Sequence, residues 1–199
     1  MSFDPARLVV LVAEEAVRQR ASLYFGVGRD DPRLPEQILR HVVEGTMWVP
    51  PARDSLEIVV TIEDDLVFSV RDNGQGMSPH SRHRTRRPDP EHMLTEIHGG
   101  HYDRGGQIGI AGTLCSQVKV WTRWERVEYA TEMDADRNVS PLRELGPSSA
   151  EGTEIQMRLN ADFFAPGSRL PTPLRELQES LLGSRKRVTD RLTIVDRRR

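Results

Sequence analysis

The stretch from Val67 to Met77 constrains the fold more than any other part of the chain. Its first half alternates apolar and polar residues in the manner of a half-buried β-strand, and the alternation stops at Asp72. Glycines follow at positions 74 and 76, which exposes backbone beside the carboxylate and lets a flat ligand lie against it. Asp-Asn-Gly is also common hairpin chemistry. The stretch alone therefore has two interpretations, a hairpin turn and a ligand-binding strand end.

Composition favours one globular domain. The chain has 199 residues, of which 37% are hydrophobic and 29% are charged. One hydrophobic core is the usual solution for that length. Only two of the 28 basic residues are lysines, so a mechanism that needs a phosphate-binding lysine has little to draw on.

The lack of a recognisable targeting signal and the low cysteine content predict a cytoplasmic protein. The sequence has no run of about 20 apolar residues that would span a bilayer, and its start lacks the basic residues of a signal peptide. The single cysteine, Cys115, excludes an intrachain disulfide and a thiolate metal cluster. We expect no membrane partner.

The order of the predicted elements indicates the fold class. Helices are expected over residues 4–20, 34–45, 90–97 and 173–182, and strands over 57–62, 67–72, 118–124, 127–133, 152–159 and 192–195. Consecutive strands do not alternate one by one with helices, which disfavours a Rossmann fold. We expect an α+β two-layer sandwich, with helices on one face of a mixed, mostly antiparallel sheet.

A second glycine-rich stretch runs from residue 98 to residue 112, before a short helix that we expect to reach Ser116. Glycines at 106, 109 and 112 recur every third residue, so backbone amides are able to converge on an anion at the start of that helix. A flexible loop is the simpler alternative. The lysine of a Walker P-loop is missing, which excludes that mechanism.

Three motifs together resemble a known group of ATP-binding domains. A strand that ends in Asp-x-Gly-x-Gly, a glycine-rich loop and a strand that opens with Gly152-Thr153 occur in the order of the gyrase, Hsp90, histidine kinase and MutL (GHKL) superfamily. Residues 20–26 and 118–123 are similar to segments of the gyrase B and topoisomerase IV B ATPase domains. The resemblance implies the Bergerat fold, in a single domain over residues 1–199. We expect a shortened ATP lid and no transducer or DNA-cleavage domain.

The resemblance also implies the residues that would bind the base of ATP or ADP. Asp72 would accept a hydrogen bond from the adenine amino group, with help from Thr153. Gly74 and Gly76 would let the purine approach the backbone. Apolar walls would come from Met77, Val43 and Ile155.

By the same resemblance, the glycine-rich stretch would bind the phosphates. The residues expected to wrap them are Gly106, Gly109, Ile110 and Gly112.

The hydrolytic residues of the family do not match this sequence. The family carries a water-activating glutamate on the second helix and a magnesium-binding asparagine four residues later. The ungapped register places His41 and Gly45 there, and a shift by one residue places Arg40 and Glu44 there. His41 is therefore a candidate general base and Glu44 a candidate catalytic residue or Mg²⁺ ligand. Glycine offers no side chain to a metal, so the sequence argues against bound magnesium.

Three hypotheses follow from the resemblance. The first is a stand-alone adenine-nucleotide-binding domain that is weak or inactive in hydrolysis. The second is an ATPase that works with a gyrase-like or other protein partner. The third is an interaction protein that keeps the fold without the ligand and uses residues 82–87 or the pair Trp121 and Trp124 as contact surfaces. None of the three makes the chain a topoisomerase by itself, and we expect no direct DNA cleavage.

Overall fold

The computed structural model describes residues 13–47, 49, 55–80, 87–95, 97, 104–171, 174–183 and 191–198. The described strands are β1 (Glu57–Asp64), β2 (Val67–Asp72), β3 (Cys115–Trp124), β4 (Val127–Met133), β5 (Arg143–Pro147), β6 (Gly152–Leu159) and β7 (Arg191–Asp196). The described helices are α1 (Ala13–Gln19), α2 (Ala21–Phe25), α3 (Leu34–Thr46), α4 (Asp89–Thr95), α5 (Arg104–Gly112) and α6 (Leu174–Gly183), with a 3-10 turn at Ala161–Phe163.

The strands form one sheet in the order β5-β4-β3-β6-β2-β1-β7. Five of the six neighbouring pairs are antiparallel, and β1 with β7 is parallel. Helices α3, α4, α5 and α6 contact β2, β4, β3 and β7 respectively. The predicted α+β architecture with a mixed, mostly antiparallel sheet is confirmed, and it is consistent with a Bergerat-type fold.

Strand register lines up the buried side chains in rows across the sheet. One row consists of Ile62, Phe68, Met157, Val118 and Met133, and the next consists of Val60, Val70, Ile155, Val120 and Thr131. Every side chain in both rows is buried. Since side chains alternate between the faces of a strand, both rows lie on the same face and form the core under the helices. Asp72 follows Val70 by two residues, so this face also carries its carboxylate.

Helix α3 matches its prediction closely. Pro35 lies in the first turn, where a missing N–H costs nothing. The helix buries Ile38, Leu39, Val42 and Val43 and ends at Thr46, one residue after the expected end. Helix α1 ends at Gln19, as expected within one residue, and the beginning of the predicted first helix lies outside the described residues.

The prediction of a glycine-rich loop over residues 98–112 is wrong for residues 104–112. Residues 104–112 form α5, and the helix expected to reach Ser116 does not exist because β3 begins at Cys115. Glycine costs about 1 kcal/mol relative to alanine inside a helix. Ile108 and Ala111 are completely buried in the core, and this burial offsets the low helix propensity.

The predicted loop over residues 134–151 contains a strand. Arg143–Pro147 forms β5 and pairs with β4 at one edge of the sheet. Most of its residues are exposed, so it lacks the apolar alternation that identifies a half-buried strand. The expected edge strand near the end of the chain is confirmed as β7.

No helix in the described ranges combines the length and the apolar character that a membrane span requires.

Candidate functional site

Asp72 ends β2 with its side chain inside the molecule. The residue is 1% exposed, and its Oδ1 accepts a hydrogen bond of 2.8 Å from the Gly74 N–H. This is the local turn that the sequence suggested, but it does not lead into a hairpin partner. The next described element is α4, and the neighbours of β2 in the sheet are β1 and β6.

Two threonines lie beside Asp72 at the same end of the sheet. Arg71 pairs with Glu154, so continuing the register by one residue places Asp72 next to Thr153. Thr153 in turn pairs with Thr122, and their hydroxyl oxygens lie 3.3 Å apart. Both threonines are completely buried. The strand order therefore brings a carboxylate and two hydroxyl groups together from three neighbouring strands.

The loop after Asp72 is fixed on both sides. The Met77 N–H donates a hydrogen bond of 2.7 Å to Thr122 Oγ1. On the other side, Asn73 Oδ1 accepts from the Glu57 N–H at 2.8 Å, and Asn73 Nδ2 donates to the Ser55 carbonyl at 3.2 Å. These bonds hold the backbone of the loop across the ends of the strands.

Two glycines at this end of the sheet have backbone packed directly against them. Gly76 has φ +77°, and a Cβ there would overlap the carbonyl of Arg123. Gly152 has φ +88°, and a Cβ there would overlap the carbonyl of Asp72. The family resemblance explains Gly76 as a residue that lets a purine approach the backbone. The structure gives an independent reason for glycine there, because the carbonyl of Arg123 packs directly against it.

The expected apolar walls occupy different environments. Val43 and Ile155 are completely buried in the core, and Met77 is half-buried and packs against it.

A cavity of about 460 Å³ opens beside Gly74. Its lining residues are Gly74, Gln75, Arg123, Glu125, Arg126, Ser148, Ser149, Ala150 and Glu151.

The second layer of the site is formed by α3, which packs against both β2 and α5. The α3–α5 contact occurs at Gly45, where a Cβ would overlap the side-chain oxygen of Gln107. That oxygen is buried without a hydrogen-bond partner among the described residues, and the same holds for His41 Nε2. The two groups lie on the same side of α3, because His41 and Gly45 are one turn apart.

His41 is an uncharged residue at neutral pH. Burial lowers the pKa of its imidazole from 6.5 to about 4. The ring meets Phe25 edge to face, with the ring centroids 5.3 Å apart. This environment is that of a packed aromatic side chain.

In the alternative alignment of α3, shifted by one residue, the candidate positions are Arg40 and Glu44. Glu44 is exposed, and Arg40 pairs with Glu36 through an ion pair of 2.8 Å. Within the described residues, no group of three or more histidine, cysteine, aspartate or glutamate side chains has the geometry to hold a metal ion. Neither register therefore supplies a described cluster of metal ligands.

The residues expected to wrap the phosphates are all in α5. Gly106 lies in the first turn of α5. Gly109 and Ile110 lie further along, where N–H groups donate to carbonyls four residues earlier. Gly112 ends the helix against Met133.

The sequence interpretation missed Thr122 and Gln107. The alternation of β3 places Thr122 on the face of Val118 and Val120, and this signal is present in the sequence. Its position beside Thr153 depends on the pairing of β3 with β6, which are not consecutive.

The candidate contact surfaces differ in how far the structure describes them. Residues 82–86 of the first surface lie outside the described part of the chain. Trp121 and Trp124 of the second are half-buried on β3. Trp121 and Trp124 therefore do not form a fully exposed aromatic patch.

No protein-family model matches the chain. Among curated proteins, the B subunit of DNA gyrase from Halalkalibacterium halodurans is 28% identical over 205 aligned positions, which cover 95% of this chain and 32% of that protein. The B subunit of DNA topoisomerase 4 is 29% identical in Bacillus subtilis and 33% identical in Staphylococcus aureus, each over 175 positions that cover 82% of this chain and 26% of the relative.

The chain thus spans about a quarter to a third of the length of these relatives. Similarity over most of the chain agrees with the seven-stranded mixed sheet. The chain is homologous to gyrase B and topoisomerase IV B and belongs with them in the GHKL superfamily as a gyrase-B-like domain.

Proposed function

We propose that the chain binds an adenine nucleotide, ATP or ADP, and hydrolyses it weakly or not at all. The observation that carries the proposal is the buried carboxylate of Asp72 beside Thr153, in a chain homologous to gyrase B. Buried carboxylates are costly unless they accept hydrogen bonds. A carboxylate is an acceptor of N–H groups, as the bond from the Gly74 N–H to Asp72 Oδ1 illustrates, and the amino group of adenine is a donor of the same kind.

In this proposal, the base binds at the end of β2. Asp72 accepts from the adenine amine, and Thr153 supports it through its hydroxyl group or a bridging water. Gly74, Gly76 and Met77 place backbone and an apolar side chain against the purine.

The phosphates would extend towards α5. Gly106 lies in the first turn of α5, where the helix dipole favours an anion. Gly109, Ile110 and Gly112 lie further along α5 and would act by packing, since Ile110 contacts the core and Gly112 lies against Met133.

Weak hydrolysis follows from the state of the two candidate catalytic residues. His41 packs on Phe25 and is a weak base, because burial lowers its pKa to about 4, and Glu44 is exposed to solvent. A general base must reach the attacking water within about 3 Å. We therefore assign neither residue an efficient catalytic role.

A protein partner and a cytoplasmic location belong to the same proposal. The relatives are described as subunits, and a gyrase-like or other protein is the partner class that this similarity favours. We propose neither DNA cleavage by this chain nor a membrane partner.

Calorimetry tests the proposal. The full chain should bind ATP or ADP saturably, and Asp72→Asn should weaken binding about 10- to 100-fold, because a hydrogen bond to a charged group contributes roughly 1.5–3 kcal/mol. Asp162→Asn is a matched control, since Asp162 is exposed in the 3-10 turn. Absence of heat with either nucleotide at millimolar concentration would overturn the proposal.

A further inference from the structure

The contact between α3 and α5 has an unusual composition for a place beside a nucleotide site. Gly45 is buried on α3, and the side chain of Gln107 lies against it so closely that a Cβ at position 45 would overlap the amide oxygen. The space that a longer residue at position 45 would use is therefore filled from α5.

Two buried polar groups, one at this contact and one a turn earlier on α3, carry no charge. Gln107 Oε1 and His41 Nε2 are both buried and have no hydrogen-bond partner among the described residues. His41 carries no charge at neutral pH, because burial holds its pKa far below 7. The neighbouring carboxylate, Glu44, is exposed.

This set of groups does not fit a magnesium ion. Mg²⁺ requires near-octahedral oxygen coordination and is bound in proteins through one or two carboxylates together with phosphate oxygens and water. The α3–α5 contact offers the amide oxygen of Gln107 and a glycine, and the imidazole of His41, one turn earlier on α3, packs on Phe25. The described part of the chain also contains no cluster of histidine, cysteine and carboxylate side chains suited to a metal.

We infer that this chain binds its adenine nucleotide without magnesium, because Gln107 and Gly45 replace a metal-binding side chain at the α3–α5 contact. The inference rests on the proposed function and specifies its ligand as the metal-free nucleotide. It separates this chain from the magnesium dependence that the family resemblance implies.

Calorimetric titrations with ATP and with ADP, in excess EDTA and in excess Mg²⁺, test the inference on the full chain. The dissociation constants in the two conditions should agree within about threefold, which is under 1 kcal/mol. Binding that is tenfold or more tighter in Mg²⁺ would overturn the inference while supporting the proposed function. No binding of either nucleotide in either condition would overturn both.

A pair of double variants tests the structural cause. Gly45→Asp with Gln107→Ala introduces a carboxylate and makes room for it, and Gly45→Ala with Gln107→Ala is the matched control without the carboxylate. We expect Mg²⁺ to tighten ATP binding at least about fivefold in the first variant only, because a carboxylate is the ligand that Mg²⁺ prefers. Equal behaviour of the two folded variants would show that position 45 is not the cause, and it would overturn the assignment to Gly45 and Gln107. The wild-type titrations remain decisive if either variant fails to fold.

Discussion

The hydroxyl oxygens of Thr122 and Thr153 lie 3.3 Å apart on neighbouring strands, in a completely buried position. Thr122 also accepts a hydrogen bond from the Met77 N–H at 2.7 Å. The pair therefore connects two strands to the loop that follows Asp72. Thr122 is the member that holds the loop, whereas Thr153 is the member next to the carboxylate.

Substitution of the two threonines by valine should separate these roles. Thr122→Val leaves the Met77 N–H without its acceptor, which should cost about 1–3 kcal/mol in the free energy of unfolding. Thr153→Val removes only the contact between the hydroxyls and should cost less than about 1.5 kcal/mol, but it should weaken nucleotide binding. Urea unfolding and calorimetry measure the two effects. An equal loss of stability in both variants would contradict the assigned roles.

Glycine at position 152 should be indispensable for folding. Gly152→Ala places a Cβ against the carbonyl of Asp72, and backbone has little freedom to move away. Gly167→Ala is the matched control, because Gly167 has a similar φ of +80° but nothing within 4 Å of the added atom. The control should lose about 1–2 kcal/mol for its left-handed backbone, and Gly152→Ala should lose clearly more. Similar losses in thermal unfolding would show that the close approach is unimportant.

Acidification should destabilise the chain through His41. The folded pKa of about 4 lies below the ordinary value of 6.5, so between these values the unfolded state binds a proton that the folded state does not. Stability contributed by the neutral imidazole is complete above pH 6.5 and decreases as the pH falls towards 4. The full effect is up to about 3 kcal/mol.

Melting temperatures measured from about pH 7.5 to about pH 4.5 check this dependence. His41→Gln should lose less stability over the range than the wild type, because the titrating group is absent. His80→Gln is the control, since His80 is exposed, and it should follow the wild type. The same pH dependence in His41→Gln and in the wild type would contradict the role of burial.

The same His41→Gln variant tests the catalytic alternative for this residue. Phosphate release from ATP should be slow in the wild type and unchanged in the variant, because the imidazole packs on Phe25 and its pKa of about 4 makes it a weak proton acceptor. A coupled phosphate assay measures both proteins at equal concentration. A large loss of turnover in the variant would make His41 a general base after all.

Much of the fold was accessible from local sequence patterns. The bounds of β2, β4 and β6 match their predictions, although only β6 alternates between buried and more exposed side chains and β2 is buried at five of its six positions. The exposed strand β5 and the glycine-rich helix α5 were missed. The first has no apolar pattern, and the second is held by the burial of Ile108 and Ala111 in a core that only the folded chain creates.

The candidate site residues also differ in whether a local sequence pattern identifies them. Asp72 was recognisable because the strand alternation and the two glycines meet at that position. Thr122 and Gln107 were not, because their roles depend on the pairing of β3 with β6 and on the crossing of α3 and α5. Contacts between elements that are distant in sequence leave no local pattern to read.

A crystal structure of the chain grown with ADP in EDTA tests nucleotide binding at Asp72 directly. Electron density for the nucleotide is expected at the end of β2, with the adenine amino nitrogen about 2.7–3.2 Å from a carboxylate oxygen of Asp72 and no metal ion beside Gly45. Density for ADP at another place, or a site at Asp72 that stays empty at millimolar ADP, would contradict it.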